Sequence, residues 1–273
     1  GNTSATAVWT APTSDGGSAT TSYEVRVVSG TTQVGALRPA AASATGMALT
    51  GLTNGTSYTV QVRALNAAGA SAYSAMSNAV VPVAVPGSPT IGTATAGNAQ
   101  GTVNWTAPAN TGGSPITGYT IRVYRLGSVI STKTAPSTAR SLLLTGLANG
   151  STYSFTVAAS NAVGISLFST MSNSVMPKGV SVAPVIGTAT AGVSSATARW
   201  AAPTNNGGSS ITSYLVRTYR AGVLINTKQV AATARSLTLT GLVKGQPHRF
   251  TVAAVNGIGT SGYSAASNTV YPT

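Results

Sequence analysis

Apolar and polar residues alternate with a period of two along many short stretches of this chain. In its middle third, Tyr119, Ile121 and Val123 alternate with Thr120, Arg122 and Tyr124. Further on, Tyr153, Phe155, Val157 and Ala159 alternate with Ser154, Thr156, Ala158 and Ser160. Successive side chains of a β-strand point to opposite faces, so each run predicts a strand with its first-named set buried and its second set facing out. Leu142 and Leu144 predict another inward face, and 102–106 a strand around Trp105. Breakers separate the runs: Ala107-Pro108, then a Thr111-Gly112-Gly113-Ser114 loop. No stretch carries a helical period long enough to cover a sheet. The pattern predicts an all-β chain of two-layer antiparallel sandwiches.

The pattern repeats. Trp9, Trp105 and Trp200 are spaced 96 and 95 residues apart, and Tyr23, Tyr119 and Tyr214 keep that spacing. Gly51-Leu52, Gly146-Leu147 and Gly241-Leu242 recur every 95, as do Ser77-Asn78, Ser172-Asn173 and Ser267-Asn268. A period this long is one whole small domain, not a solenoid unit. Three domains follow, over 1–83, 84–178 and 179–273. The recurring Trp and Tyr residues are the expected core, together with Tyr58, Tyr153 and His248.

Three motifs resemble the fibronectin type III family, in particular its Ala/Thr/Gly-rich bacterial members. They are Trp105-Thr106-Ala107-Pro108, the Gly-Gly-Ser loop leading into Ile116-Thr117-Gly118-Tyr119, and Gly146-Leu147-Ala148-Asn149-Gly150-Ser151-Thr152-Tyr153. The resemblance covers nearly the whole chain and implies immunoglobulin-like sandwiches. Its last motif resembles the tyrosine corner, in which a phenol hydroxyl bonds nearby backbone. His248 stands where Tyr58 and Tyr153 stand, and its imidazole N–H is expected to replace the phenol as donor.

Gly1 aligns with Gly97 and Gly192, so the 13 residues that supply the linker and first strand of the later repeats (84–96 and 179–191) have no counterpart in the first. Domain one is therefore expected to lack its first strand. Two readings stand: a cut through a longer array or an unresolved end, or a strand added by a preceding domain or a neighbouring subunit. Residues 1–9 also lack the basic and apolar regions of a signal peptide, as a mature fragment would.

Composition then removes whole classes of function. Only 6% of residues are charged, and 15 Lys/Arg face two acids, Asp15 and Glu24, for a net charge of +13. There is no cysteine and a single histidine. No catalytic triad, carboxylate pair or His-rich metal site can be assembled, so neither catalysis nor a cofactor is expected. Gly257-Ile258-Gly259-Thr260-Ser261-Gly262 matches a phosphate-binding pattern, but that reading needs a helix after it, and 263–271 reads as a strand. Four N-x-Ser/Thr sequons, headed by Asn2, Asn54, Asn104 and Asn149, add nothing in so hydroxyl-rich a chain. No apolar run reaches the length of a membrane span.

The positive charge leaves polyanions as candidate partners. Alternation sends Arg26, Arg122 and Arg217 outward, with Tyr124 and Tyr219 beside the last two and Arg63 on the adjoining strand. Guanidinium chelates carboxylate, sulfate or phosphate, and tyrosine stacks on sugar rings, so this face is the candidate site for an acidic polysaccharide or cell-wall polymer. The competing reading is a solvated sheet face. The basic residues do not cluster on one element as nucleic-acid recognition requires. The family resemblance implies an extracellular or cell-surface spacer array, and this is the expected function. Three domains of strands rising about 3.3 Å per residue span on the order of 100 Å, and linkers such as Val81-Pro82-Val83-Ala84-Val85-Pro86 limit bending. A glycan-binding module and a filament subunit, pairing with neighbouring repeats or identical subunits, are the alternatives.

Overall fold

A computed structural model describes residues 1–273 and contains strands and turns but no helix. The first domain holds β1 (Ser4–Val8), β2 (Ser22–Ser29), β3 (Thr32–Gln33), β4 (Arg38–Ala41), β5 (Gly46–Thr50), β6 (Thr59–Asn66) and β7 (Gly69–Ala70). The second holds β8 (Thr90–Ile91), β9 (Thr95–Gly97), β10 (Gln100–Thr106), β11 (Gly118–Arg125), β12 (Ser128–Pro136), β13 (Ser141–Thr145) and β14 (Tyr153–Ser160). The third repeats the second as β15 (Val185–Ile186), β16 (Thr190–Gly192), β17 (Ser195–Ala201), β18 (Ile211–Arg220), β19 (Val223–Ala231), β20 (Ser236–Thr240) and β21 (His248–Asn256).

Each domain is a sandwich of two antiparallel sheets. In the second, β10 lies between β13 and the short β8 and β9, while β11 lies between β12 and β14. Their inward faces meet in one core that includes Val103, Trp105, Tyr119, Ile121, Leu144, Phe155 and Val157. The other two domains have separate cores of their own. Trp105 crosses from one sheet onto Tyr119 of the other at a centroid distance of 5.3 Å, and Trp9–Tyr23 and Trp200–Tyr214 repeat the contact at 5.6 Å. Tilted aromatic pairs of this kind contribute about 0.5–1.5 kcal/mol beyond their buried area. In domain one β1 pairs with β5 alone, and Trp9 is only half-buried where Trp105 and Trp200 are buried.

The last segment of each domain joins its sheet in an unusual way. Residues Ser166, Ser169 and Ser172 advance by three, while their partners on β14, Ala159, Val157 and Phe155, advance by two. Each serine N–H reaches a β14 carbonyl, but the extra residue per step leaves the β14 N–H groups without a backbone acceptor. The serine hydroxyl fills that place, accepting from Phe155, Val157 and Ala159 N at 3.0, 3.1 and 3.0 Å. The same hydroxyls donate to the carbonyl of the next residue. Ser71, Ser74 and Ser77 repeat this stitch in domain one, and Ser261, Ser264 and Ser267 in domain three. The strand expected at 263–271 is thus an extended segment outside the regular ladder, joined by this stitch and a bridge between His248 and Val270.

The joints between domains are built alike. Gly55 N donates to Pro82 O within domain one, and Ala84 N donates to Gly112 O within domain two, so the connecting segment is tied to the domain on each side of it. Gly150 to Pro177 and Gly179 to Gly207 repeat the pair at the second joint. At each joint two glycine backbones touch, Gly55 against Gly113 and Gly150 against Gly208, so tightly that a Cβ on Gly113 or Gly208 would collide with the facing backbone. All four glycines have φ between +80° and +83° or at +79° and +75°, where other residues are strained. Behind the contact, the Asn161 amide donates to Ala84 O and Thr111 O, and Asn256 does the same to Gly179 O and Asn206 O.

Candidate functional site

Arg26, Arg122 and Arg217 stand on the middle strands β2, β11 and β18, on the face turned away from the core. They are not bare charges. An aromatic ring lies over each guanidinium at 3.9 Å from Cζ to centroid: Tyr73 over Arg26, Phe168 over Arg122, Tyr263 over Arg217. The rings come from the serine stitch, each one residue before its middle serine. Tyr73, Phe168 and Tyr263 recur every 95 residues, so the repeat itself was the signal for this missing half of the pair. Cation–π contact of this kind contributes about 0.5–1 kcal/mol at exposed sites and more when desolvated.

The cover changes the picture of the outer face. The face expected to be solvated is partly closed: Thr156 is 5% and Ala158 0% exposed. They sit on β14, between β11 and the serine-stitched segment, with Arg122 directly opposite Thr156 under the Phe168 ring. In domain one Arg63 also lies against the Tyr73 ring, 4.8 Å from its centroid, and pairs with Glu24 at 2.6 Å. Arg26 is further held by Gln61 Oε1 at 2.9 and 2.6 Å. Tyr124 and Tyr219 are half-buried at the strand ends, with Arg125 and Arg220 exposed beyond them. The six residues grouped on sequence therefore lie on equivalent faces of three domains, with four guanidiniums already engaged by rings.

The corner differs from expectation in its direction. The Tyr58 and Tyr153 oxygens accept from the Thr53 and Ala148 N–H groups at 3.0 and 2.9 Å. That bond holds the Tyr58 hydroxyl below the usual tyrosine range, against the opposing effect of burial. The imidazole of His248 is fully buried and makes a different bond, from Nδ1 to Gln246 O at 2.9 Å, while its Nε2 has no partner. It does not replace the phenol, because the group to be satisfied there is a donor and Val243 N–H is left without a protein acceptor.

Other candidate chemistry is structural. Asp15 bonds its own loop through Gly17 N at 2.9 Å. Asn54 and Asn149 clasp the neighbouring turn, accepting from Thr3 N and Ala99 N at 2.8 Å. Gly259 closes the loop after β21, where Asn256 Oδ1 accepts its N–H at 3.0 Å. No group of three or more His, Cys, Asp or Glu stands close enough to hold a metal ion, and no helix is long and apolar enough to cross a membrane.

The fibronectin type III domain family matches residues 1–80, 86–175 and 183–270. The chain belongs to that family. Among curated proteins, this fibronectin type III chain is 31% identical to Exoglucanase B of Cellulomonas fimi over 98% of its own length and 24% of the relative's. It is 36% identical to Endoglucanase B of the same organism over 60% of the chain and 16% of the relative. Chitinase A1 of Niallia circulans is 41% identical over 45% of the chain and 18% of the relative. The chain thus spans a quarter or less of these proteins, and their activities are named for the whole proteins.

Proposed function

We propose that the chain is a stiff spacer in a larger extracellular protein, holding other modules apart rather than acting on a substrate. What supports this most directly is the joint: a glycine–glycine contact between domains, with a backbone hydrogen bond tying the connecting segment to each side, repeated at matching positions at both junctions. A flexible linker needs no such fitted contact, whereas a spacer of fixed reach does. The extracellular setting is supported by relatives named for glucan and chitin, polymers too large to enter a cell. The arginine–aromatic stacks favour the same reading, since they close the outer sheet face of each domain with groups that would otherwise be free to bind.

Glycine substitutions test the joint against a built-in control. Gly17 occupies the place of Gly113 in domain one, with φ +82° against +79°, yet a Cβ there would meet nothing within 4 Å. Gly17→Ala and Gly113→Ala therefore share the backbone strain, and only the second breaks a joint. Small-angle scattering should show one extended particle for the wild type and Gly17→Ala, and a broader distance distribution for Gly113→Ala. Scattering from the wild type that already requires a freely jointed ensemble would sink the proposal.

A further inference from the structure

The outer face of the third domain carries a cleft of about 470 Å³ whose lining includes Tyr219, Arg249, Thr251, Thr269 and Tyr271. Tyr219 of β18 lies directly opposite Arg249 of β21. Just before Tyr219 the register with β19 slips, and such irregularities re-aim side chains. Arg249 Nε donates to Thr269 Oγ1 at 2.7 Å, which fixes the plane of the guanidinium and leaves both terminal nitrogens without a protein partner. Tyr271, two residues beyond Thr269 on the same face, is 58% exposed. The Thr251 hydroxyl, two residues along β21 from Arg249, is shielded from solvent and has no partner.

The other domains serve as internal controls. At the positions of Tyr219, Arg249, Thr269 and Tyr271, domain two has Tyr124, Ser154, Ser174 and Met176, and domain one has Val28, Thr59, Ala79 and Val81. The sandwich forms in all three, so neither Arg249 nor Tyr271 is needed to fold it. Nor is the cleft open only for want of a following domain. Val81 and Met176 remain 45% and 42% exposed although each is followed by one.

We infer that this cleft binds a carboxylated pyranose, a uronic acid residue of a glycan chain. Tyrosine rings present flat apolar faces to the C–H face of a sugar, and a fixed guanidinium presents paired N–H donors to a carboxylate. No acidic side chain lies there: Asp15 and Glu24, the two acidic residues of the chain, are both in domain one. A net charge of +13 draws an anionic polymer toward the site. Unlike the stacked Arg26, Arg122 and Arg217, Arg249 has no ring within reach that covers it.

Calorimetric titration of the full chain with tetragalacturonate tests the assignment. One saturable site is expected, weakened at least tenfold by Arg249→Ser and by Tyr271→Met, the residues domain two already carries. Arg125→Ser, which removes an exposed charge elsewhere, should change binding less than twofold. Circular dichroism should be the same for all variants. The assignment is overturned by absence of saturable binding, by equal loss in Arg125→Ser, by full binding in Arg249→Ser, or by equally tight binding of neutral cellotetraose.

Discussion

The second and third domains share a strand plan and a stitch, yet they close the corner before β14 and β21 by different chemistry. In domain two, Tyr153 accepts from Ala148 N–H and Asn149 accepts from Ala99 N–H. In domain three, histidine and lysine stand at those places. His248 turns to Gln246 O, and the N–H of Ser194, the counterpart of Ala99, goes to Thr273 O at 2.9 Å. Both cores remain closed around their Trp–Tyr pairs. The corner is therefore a stabilising device and not a condition for the fold, while the stitch, kept with all three serines in every domain, belongs to the architecture. Breaking the stitch should cost more than changing the corner.

That ordering is testable, beginning with the largest effect. Replacing Ser166, Ser169 and Ser172 together by Ala would orphan three strand N–H groups, at about 1 kcal/mol or more each. The same triple change at Ser261, Ser264 and Ser267 should destabilise domain three to the same extent, about 3 kcal/mol. Amide hydrogen exchange along β14 and β21 reads the two domains separately. A loss under 1 kcal/mol in either would mean that water replaces the hydroxyls, and the stitch would lose its place as the common element.

The corner variant comes next. Tyr153→His imports the third domain's arrangement into the second, leaving Ala148 N–H without its acceptor and a cavity where the phenol ring ended. A destabilisation of about 2 kcal/mol is expected, confined to domain two. Tyr153→Phe should lose about half of that, since it removes the hydroxyl alone. Equal losses in the two variants would assign the whole effect to the hydrogen bond.

The sequence made the repeat, the sandwich and most of the core legible, because Trp, Tyr and Gly-Leu recur at one spacing and inward positions alternate. The side of the sheet on which Arg122 lies was equally legible. Its cover was not: Phe168 lies in a segment that steps three residues for its partner's two, and period-two reasoning places such residues wrongly. For the same reason no local pattern marks Ser166, Ser169 and Ser172 as acceptors for the N–H groups of β14. The cleft of domain three was half visible. Tyr219 belonged to the candidate face, but Arg249 meets it through the pairing of β18 with β21 and Tyr271 through the pairing of His248 with Val270, long-range contacts that no local pattern specifies. Tyr58 and Tyr153 are buried in the structure, and which partner of their hydroxyls donates depends on a turn whose N–H points inward.

The smallest effect runs in the opposite direction and sharpens the comparison most. His248→Tyr would give domain three the phenol that domain two has, offering an acceptor to Val243 N–H and removing a buried Nε2 that has no partner. One satisfied donor and one fewer orphaned nitrogen should stabilise the domain by about 1 kcal/mol, a rise of roughly 4–8 °C in its transition for a domain of this size. Calorimetry of the variant should show one of the three transitions moving up and the others unchanged. If that transition instead falls, Gln246-Pro247 has set a turn that only imidazole fits, and the two corners are then alternative designs and not a better and a worse version of one.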